Sequence, residues 1–225
     1  MTTLEDRGPQ RYDLIVFDWD GTIMDSTGLI AECIQLAATD RGLSVPSLDE
    51  AKSIIGLGIH ESTRRLFPAL DHVGQTAFAA AYRHHFVCRD HEAPLYEGIR
   101  ELLVDINQPE RFLAVATGKP RAGLERAFTH TGLKSAFHFS RCADEGFAKP
   151  HPDMLLRLMD IAAVGPDRTL MIGDTVHDLD LAANAGVAAV AVTYGAHSAE
   201  LLASRPSLCR VGTVNELNTW LKLSA

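Results

Sequence analysis

The chain has 225 residues, with 29 acidic against 21 basic side chains and a formal net charge of −8. This balance, without any long basic run, excludes nucleic acid or an anionic membrane surface as a general partner, and no apolar stretch approaches the length of a membrane span. The length is enough to bury a full core, as one large domain or as one domain carrying a modest insert.

Met1–Arg7 is polar and lacks the apolar centre of a secretory signal, which leads us to expect a cytoplasmic protein. Leu14–Phe17 then reads as a buried strand, and it ends abruptly on Asp18, Trp19, Asp20, Gly21 and Thr22. Side chains two apart in extended backbone point the same way, so Asp18 and Asp20 can share one small volume beyond the strand end. Two like charges there call for a counter-charge, and hard oxygen donors suit Mg²⁺. One carboxylate can then attack a phosphorus atom while the other handles the proton of the leaving group. Trp19 lies between them and is assigned to packing. By itself Asp20-Gly21 is also a common turn signal, whereas a calcium loop is excluded because glycine stands fourth from Asp18 rather than sixth.

From Ser26 to Pro94 no β-like run occurs. Helical patterns follow one another at Leu29–Asp40, Leu48–Ile55, Ile59–Leu66 and Val73–Arg89, broken at Gly42, Pro46, Gly56 and Pro68. Beyond it, strands are predicted at Phe112–Ala116, Leu170–Ile172 and Val187–Val192, with weaker candidates at Phe137–Ser140 and Leu208–Val211. They alternate with helical spacing at Glu97–Ile106, Ala122–His130, Asp153–Ala162 and Asp178–Ala185. Alternation of this kind predicts an α/β fold with a parallel sheet, and Gly132, Gly165 and Gly186 stand where helices should stop. Cys33, Cys88, Cys142 and Cys209 form no C-x-x-C pair, so neither a zinc module nor a disulfide framework is expected.

Three further segments carry chemistry. The second strand ends on Thr117-Gly118, Lys149 precedes Pro150, and the apolar run at Leu170–Ile172 leads into Gly173-Asp174 with Asp178 four residues on. Taken singly, Thr117 can be a strand-end cap, Lys149 a solvated charge and Asp174 a helix N-cap. As an ordered set with Asp18-x-Asp20-Gly-Thr, they resemble the haloacid dehalogenase superfamily of phosphotransferases. Lys149-Pro-x-Pro152 and the run from Gly173 to Gly186 resemble its phosphoglycolate-phosphatase-like branch.

The resemblance implies a Rossmann-like parallel sheet core, residues 1–26 plus 95–225, with an inserted all-helical cap at 27–94 that closes over the active site. Hinges are then expected near Met24–Thr27 and Ala93–Gly98. It implies Asp18 as nucleophile, Asp20 as general acid and base, Thr117 and the Gly118 amide as holders of phosphate oxygens, and Lys149 as the charge beside phosphoryl group and nucleophile. Mg²⁺ would be held by Asp18, the Asp20 carbonyl and Asp174, with Asp178 acting through a metal-bound water or by holding Lys149. Many relatives have Asn at the position of Gly118. In the cap, Arg64 and Arg65 stand where phosphoglycolate-type relatives place substrate-facing residues, and a cation there can bind a carboxylate bidentately. Two arginines on an amphipathic helix also make an ordinary wet face. His84, His85 and His91 match no ligand pattern.

The expected activity is Mg²⁺-dependent hydrolysis of small, phosphoglycolate-like phosphate monoesters by way of an aspartyl-phosphate. The expected partner is a small phosphorylated metabolite, and the expected assembly a monomer or homodimer. Pyrophosphatase and nucleotidase activities of the same family stay open. A hexose-phosphate mutase is a weaker rival, because such relatives carry a histidine soon after the second Asp and none occurs here before His60. A non-catalytic phosphate-binding module is the weakest rival, given the retained carboxylates and lysine.

Overall fold

The computed structural model describes residues 12–223, so the Met1–Arg7 segment lies outside it. Six strands form a single parallel sheet in the order β3-β2-β1-β4-β5-β6: β1 Leu14–Phe17, β2 Phe112–Thr117, β3 Phe139–Cys142, β4 Thr169–Gly173, β5 Ala188–Val192 and β6 Cys209–Val211. β1 is central, with Phe17 in register with Val115 on one side and Ile172 on the other. Alternation along it divides the core: Ile15 and Phe17 enter the apolar layer on one face, Leu14 and Val16 the layer on the other. The strand order reverses between β1 and β4, the point at which open α/β sheets bind ligands beyond the strands' carboxyl ends. Asp18 and Asp174 follow directly from those two strands.

On one face lie α5 (Ile99–Ile106), α6 (Arg121–Thr131) and α10 (Val214–Leu223); on the other lie α7 (Asp153–Ala162) and α8 (Val176–Ala185), with Leu202 of the short α9 (Ala199–Ala203) reaching the same layer. Trp19 is fully buried, packing edge-on against Phe128 with ring centroids 5.2 Å apart, as its packing assignment requires. Four helices intervene between β1 and α5: α1 (Thr27–Asp40), α2 (Leu48–Ser53), α3 (Ile59–Leu66) and α4 (His72–Arg89). Ile30, Ile34, Ala51, Ile54, Phe78 and Phe86 form a third apolar cluster that shares no buried residue with the two sheet layers. The chain leaves and re-enters the sheet side by side: the Asp25 amide donates to the Pro94 carbonyl at 2.9 Å and the Tyr96 amide to that of Ile23 at 3.1 Å.

Departures from the sequence reading are local. α2 stops at Ser53 because Gly56 takes a left-handed φ of 91°, and β3 begins at Phe139 because a 3₁₀ turn occupies Lys134–Ala136. Gly165 does not end α7; Ala163 does, at a φ of 53°, and Gly165 instead precedes the next 3₁₀ turn. α9 and α10 lie in a stretch for which the sequence reading predicts no helix, although Val214, Leu217 and Leu221 have the spacing of one buried face. Among the described residues no helix is long and apolar enough to cross a membrane.

Candidate active site

Asp18 continues β1 into the sheet's carboxyl edge, where its amide donates to the Ile172 carbonyl at 2.9 Å. The side chain is 1% exposed. Lys149 Nζ donates to its Oδ1 at 2.5 Å and to Asp178 Oδ1 at 2.6 Å, so one buried ammonium bridges two buried carboxylates. Asp178 is placed by local rules. It is the third residue of α8, and its Oδ2 accepts from the amide and hydroxyl of the N-cap Thr175 at 3.0 and 2.7 Å. The capping box that starts the helix therefore aims the other carboxylate oxygen at Lys149.

Asp174 is fully buried between two main-chain segments. Its Oδ1 accepts from Thr22 Oγ1 at 2.9 Å and its Oδ2 from the Ala196 amide at 2.7 Å. Gly21 is needed for this: its φ is 87°, and a Cβ there would lie 2.1 Å from Asp174 Oδ2. Carboxylate oxygens of Asp18, Asp174 and Asp178 lie within 4.8 Å of one another. Burial drives the Asp18 carboxyl well above its ordinary range, an effect that Lys149 opposes and Asp178 and Asp174 reinforce. Burial likewise pushes Asp174 up to about 7, with the Asp178 charge adding to it. Burial alone would pull Lys149 down, yet the charges of Asp178 and Asp18 overcome it and raise the ammonium's pKa.

Three carboxylates thus face one ammonium, and Asp18 Oδ2 is buried without a hydrogen-bond partner. An orphaned anionic oxygen beside a second acidic group is the donor chemistry of a hard divalent cation, and the residues present fit one. The Asp20 side chain is outside this cluster. Its Oδ1 accepts from Ser26 Oγ at 2.6 Å and pairs with Lys119 Nζ at 2.9 Å, while Oδ2 takes no bond from the described residues. Ser26 stands at the N-cap of α1 but makes no cap there; its hydroxyl serves Asp20 instead.

Thr117 is fully buried at the end of β2, its Oγ1 accepting from the Lys119 amide at 3.1 Å. Gly118 next to it lies against the 54–58 loop of the helical layer: a Cβ there would meet the Gly56 carbonyl oxygen at 2.7 Å and that of Leu57 at 2.8 Å. The expected consequence is that Gly118→Asn forces this backbone away, costing about 1–3 kcal/mol. A thermal midpoint equal to the parent's would show that the loop is not packed on β2. The helical layer is tied to the core at another point. The ring Nε2 atoms of His177 and His197 each lie 3.2 Å from the Ser53 carbonyl oxygen, and burial lowers the pKa of both.

Asp18, Lys149, Asp174 and Asp178, all singled out by sequence reasoning, form one cluster; Asp20, Thr117 and Gly118 border the same site. Arg64 and Arg65 do not reach that cluster. Both are exposed on α3 and both pair with Glu61, Arg65 Nε at 2.8 Å from its Oε1. Sequence reasoning assigns no role to Lys119, Thr22, Ser26, His177 or His197. Lys119 follows Thr117-Gly118 directly, which is the available signal, and Ser26 meets Asp20 nearby in the chain, whereas Thr22, His177 and His197 act through contacts distant in sequence. Asp180 on α8 is paired with Arg205 at 2.6 Å.

Residues 15–192 match the sequence profile of a family described as haloacid dehalogenase-like hydrolase. A probable phosphatase, IndB, of Dickeya dadantii is 31% identical over 94% of this chain and 96% of its own length. A tyrosine-protein kinase, PtkA, of Mycobacterium tuberculosis is 31% identical over 91% of this chain and 70% of its own. A phosphoglycolate phosphatase of Pseudomonas savastanoi is 29% identical over 81% and 70%, respectively. Among solved structures, that of a predicted phosphatase from Clostridium acetobutylicum superposes with a TM-score of 0.85 at 25% identity, covering 94% of this chain and 99% of that one.

Proposed function

The chain belongs to the haloacid dehalogenase-like hydrolases, and on that premise we propose that it is a Mg²⁺-dependent phosphatase that hydrolyses small phosphate monoesters through an aspartyl-phosphate on Asp18. The observation that carries this reading is the pair of strand-end carboxylates. Asp18 has one oxygen on Lys149 and the other unpartnered, and Asp20 beside it has one oxygen anchored by Ser26 and Lys119 and the other free.

In this reading an Asp18 oxygen attacks phosphorus as the bond from phosphorus to the ester oxygen breaks. Asp20 gives its proton to the departing alkoxide, then takes one from the water that cleaves the aspartyl-phosphate, releasing phosphate and restoring Asp18. Lys149 neutralises charge on Asp18 and the incoming phosphoryl group, while Thr117 and the Gly118 amide are the donors for its remaining oxygens. Asp18, the Asp20 carbonyl and Asp174 would hold Mg²⁺, whose charge would offset repulsion between the nucleophile and a phosphate dianion. Residues 27–94 serve as the cap that excludes water. Similarity to phosphoglycolate phosphatases makes a carboxylated ester one candidate to include in a substrate panel. The two arginines expected to read that carboxylate are engaged by Glu61.

The test is phosphate release from a panel of phosphate monoesters, with Mg²⁺ and after exhaustive chelation. Release is expected only with the metal, and full activity after chelation would overturn the metal requirement. Asp20→Asn should slow alkyl phosphates by about 10²–10⁴-fold but activated aryl phosphates much less, since only the poor leaving group needs the proton. Equal slowing of both would remove the acid role from Asp20.

A further inference from the structure

The cavity onto which Asp18 and Asp20 open has a volume of about 720 Å³. That is in the range of sites that enclose a whole drug-sized ligand, far more than a two-carbon acid occupies. Its walls toward the helical layer are mostly apolar, with Ile30, Ile34, Ile54, Leu57 and Phe86 beside the Tyr82 ring; of the polar residues that also line it there, Glu61, Ser62 and Gln75 are already bonded within the layer. The cations at its edge are mostly spoken for. Lys119 is held by Asp20 and lies over the Phe86 ring at 4.5 Å, Arg64 is held by Glu61, and Arg126 pairs with Asp90 at 2.9 Å. Arg83 alone of the lining cations has no ion pair among the described residues, and it is exposed at the rim.

A carboxylate or a hydroxyl-rich sugar placed against the apolar part of these walls would lose water and gain few partners, with Arg83 out at the rim, whereas an apolar group gains by leaving water. We infer that the alcohol released here is an apolar alkyl or aryl group that fills this cavity. The inference rests on the phosphatase reading above and adds to it the class of leaving group. No new bond chemistry is required, because the ester oxygen, the proton from Asp20 and the water are those of the hydrolysis already described.

A series of n-alkyl phosphates from methyl to hexyl tests it, run with Mg²⁺ beside 2-phosphoglycolate and a hexose 6-phosphate and read as phosphate release. The leaving groups are nearly equal in chemistry, so the trend reports burial. kcat/KM is expected to rise up to about fourfold per methylene, with hexyl at least about 10²-fold above methyl and above both polar esters. A flat series, or either polar ester exceeding hexyl phosphate, would overturn the apolar assignment while leaving the phosphatase reading standing. Absence of release from every ester would overturn that reading and this inference with it. Ile34→Asn should lower the hexyl-to-methyl ratio, a readout from which any inactive fraction cancels. An unchanged ratio would show that the alkyl chain does not occupy this cavity.

Discussion

Asp18→Asn is expected to reduce turnover by about 10⁴-fold or more, since the amide keeps the size of the side chain but cannot become the phosphoryl acceptor. The same change should make the metal-free protein more heat-stable at pH 8. Burial raises the folded-state pKa of Asp18 above its unfolded value. A carboxyl raised in this way favours folding fully only below its unfolded pKa, and that contribution is lost as pH rises through the folded value. At pH 8 the parent therefore carries the cost of this upward shift, and towards pH 4 most of that cost is gone. Each pKa unit of upward shift corresponds to about 1.4 kcal/mol, and a protein of this size moves by roughly 2–4 °C in midpoint per kcal/mol. The gain should accordingly be several degrees at pH 8, shrink toward pH 4, and be matched in the parent by adding Mg²⁺. Calorimetry of both proteins at the two pH values checks this. Equal midpoints at pH 8 would mean that the attraction of Lys149 already offsets the burial of Asp18.

Lys149→Met is expected to cost both activity and stability. The ammonium is fully buried and is the one cation among the described residues that touches Asp18 and Asp178. Taking one partner from a buried ionic group leaves uncompensated charge, which costs about 3–5 kcal/mol, or roughly 6–20 °C in thermal midpoint. Turnover should fall by about 10³-fold or more, because the phosphoryl group loses its fixed positive charge. Adding Asp178→Asn to Lys149→Met should recover part of the stability and none of the turnover, since it removes one stranded carboxylate without restoring the cation. A double variant no more stable than the single one would show that Asp178 is not destabilised by the loss of Lys149.

Much of the site is legible in the amino-acid sequence, for a physical reason that particular residues make plain. Asp18, Thr117 and Asp174 each end an apolar run, and in a parallel sheet the carboxyl ends of such runs converge on one edge. Asp178 is legible as well, since Thr175 and Asp178 have the spacing of a capping box. The engagement of Arg64 and Arg65 is also within reach of a local rule, because Glu61 lies three and four residues before them on the same helix.

Contacts between segments far apart in the chain are not legible in this way. No local pattern tells that Gly118 must stay bare for the carbonyls of Gly56 and Leu57, or that two histidines meet at Ser53. Nor does it tell that Ile30, Ile34 and Phe86, apolar at helical spacing like any core residues, line a cavity in front of the carboxylates. By itself the sequence determined the strand-end chemistry, the order of its motifs and the helical insert, because those depend on short-range periodicity and on where each strand stops. Only the tertiary structure decided which oxygen of each carboxylate is left free, which cations are already paired, and which side chains line the cavity in front of them, because these depend on the packing of the helical layer onto the sheet edge.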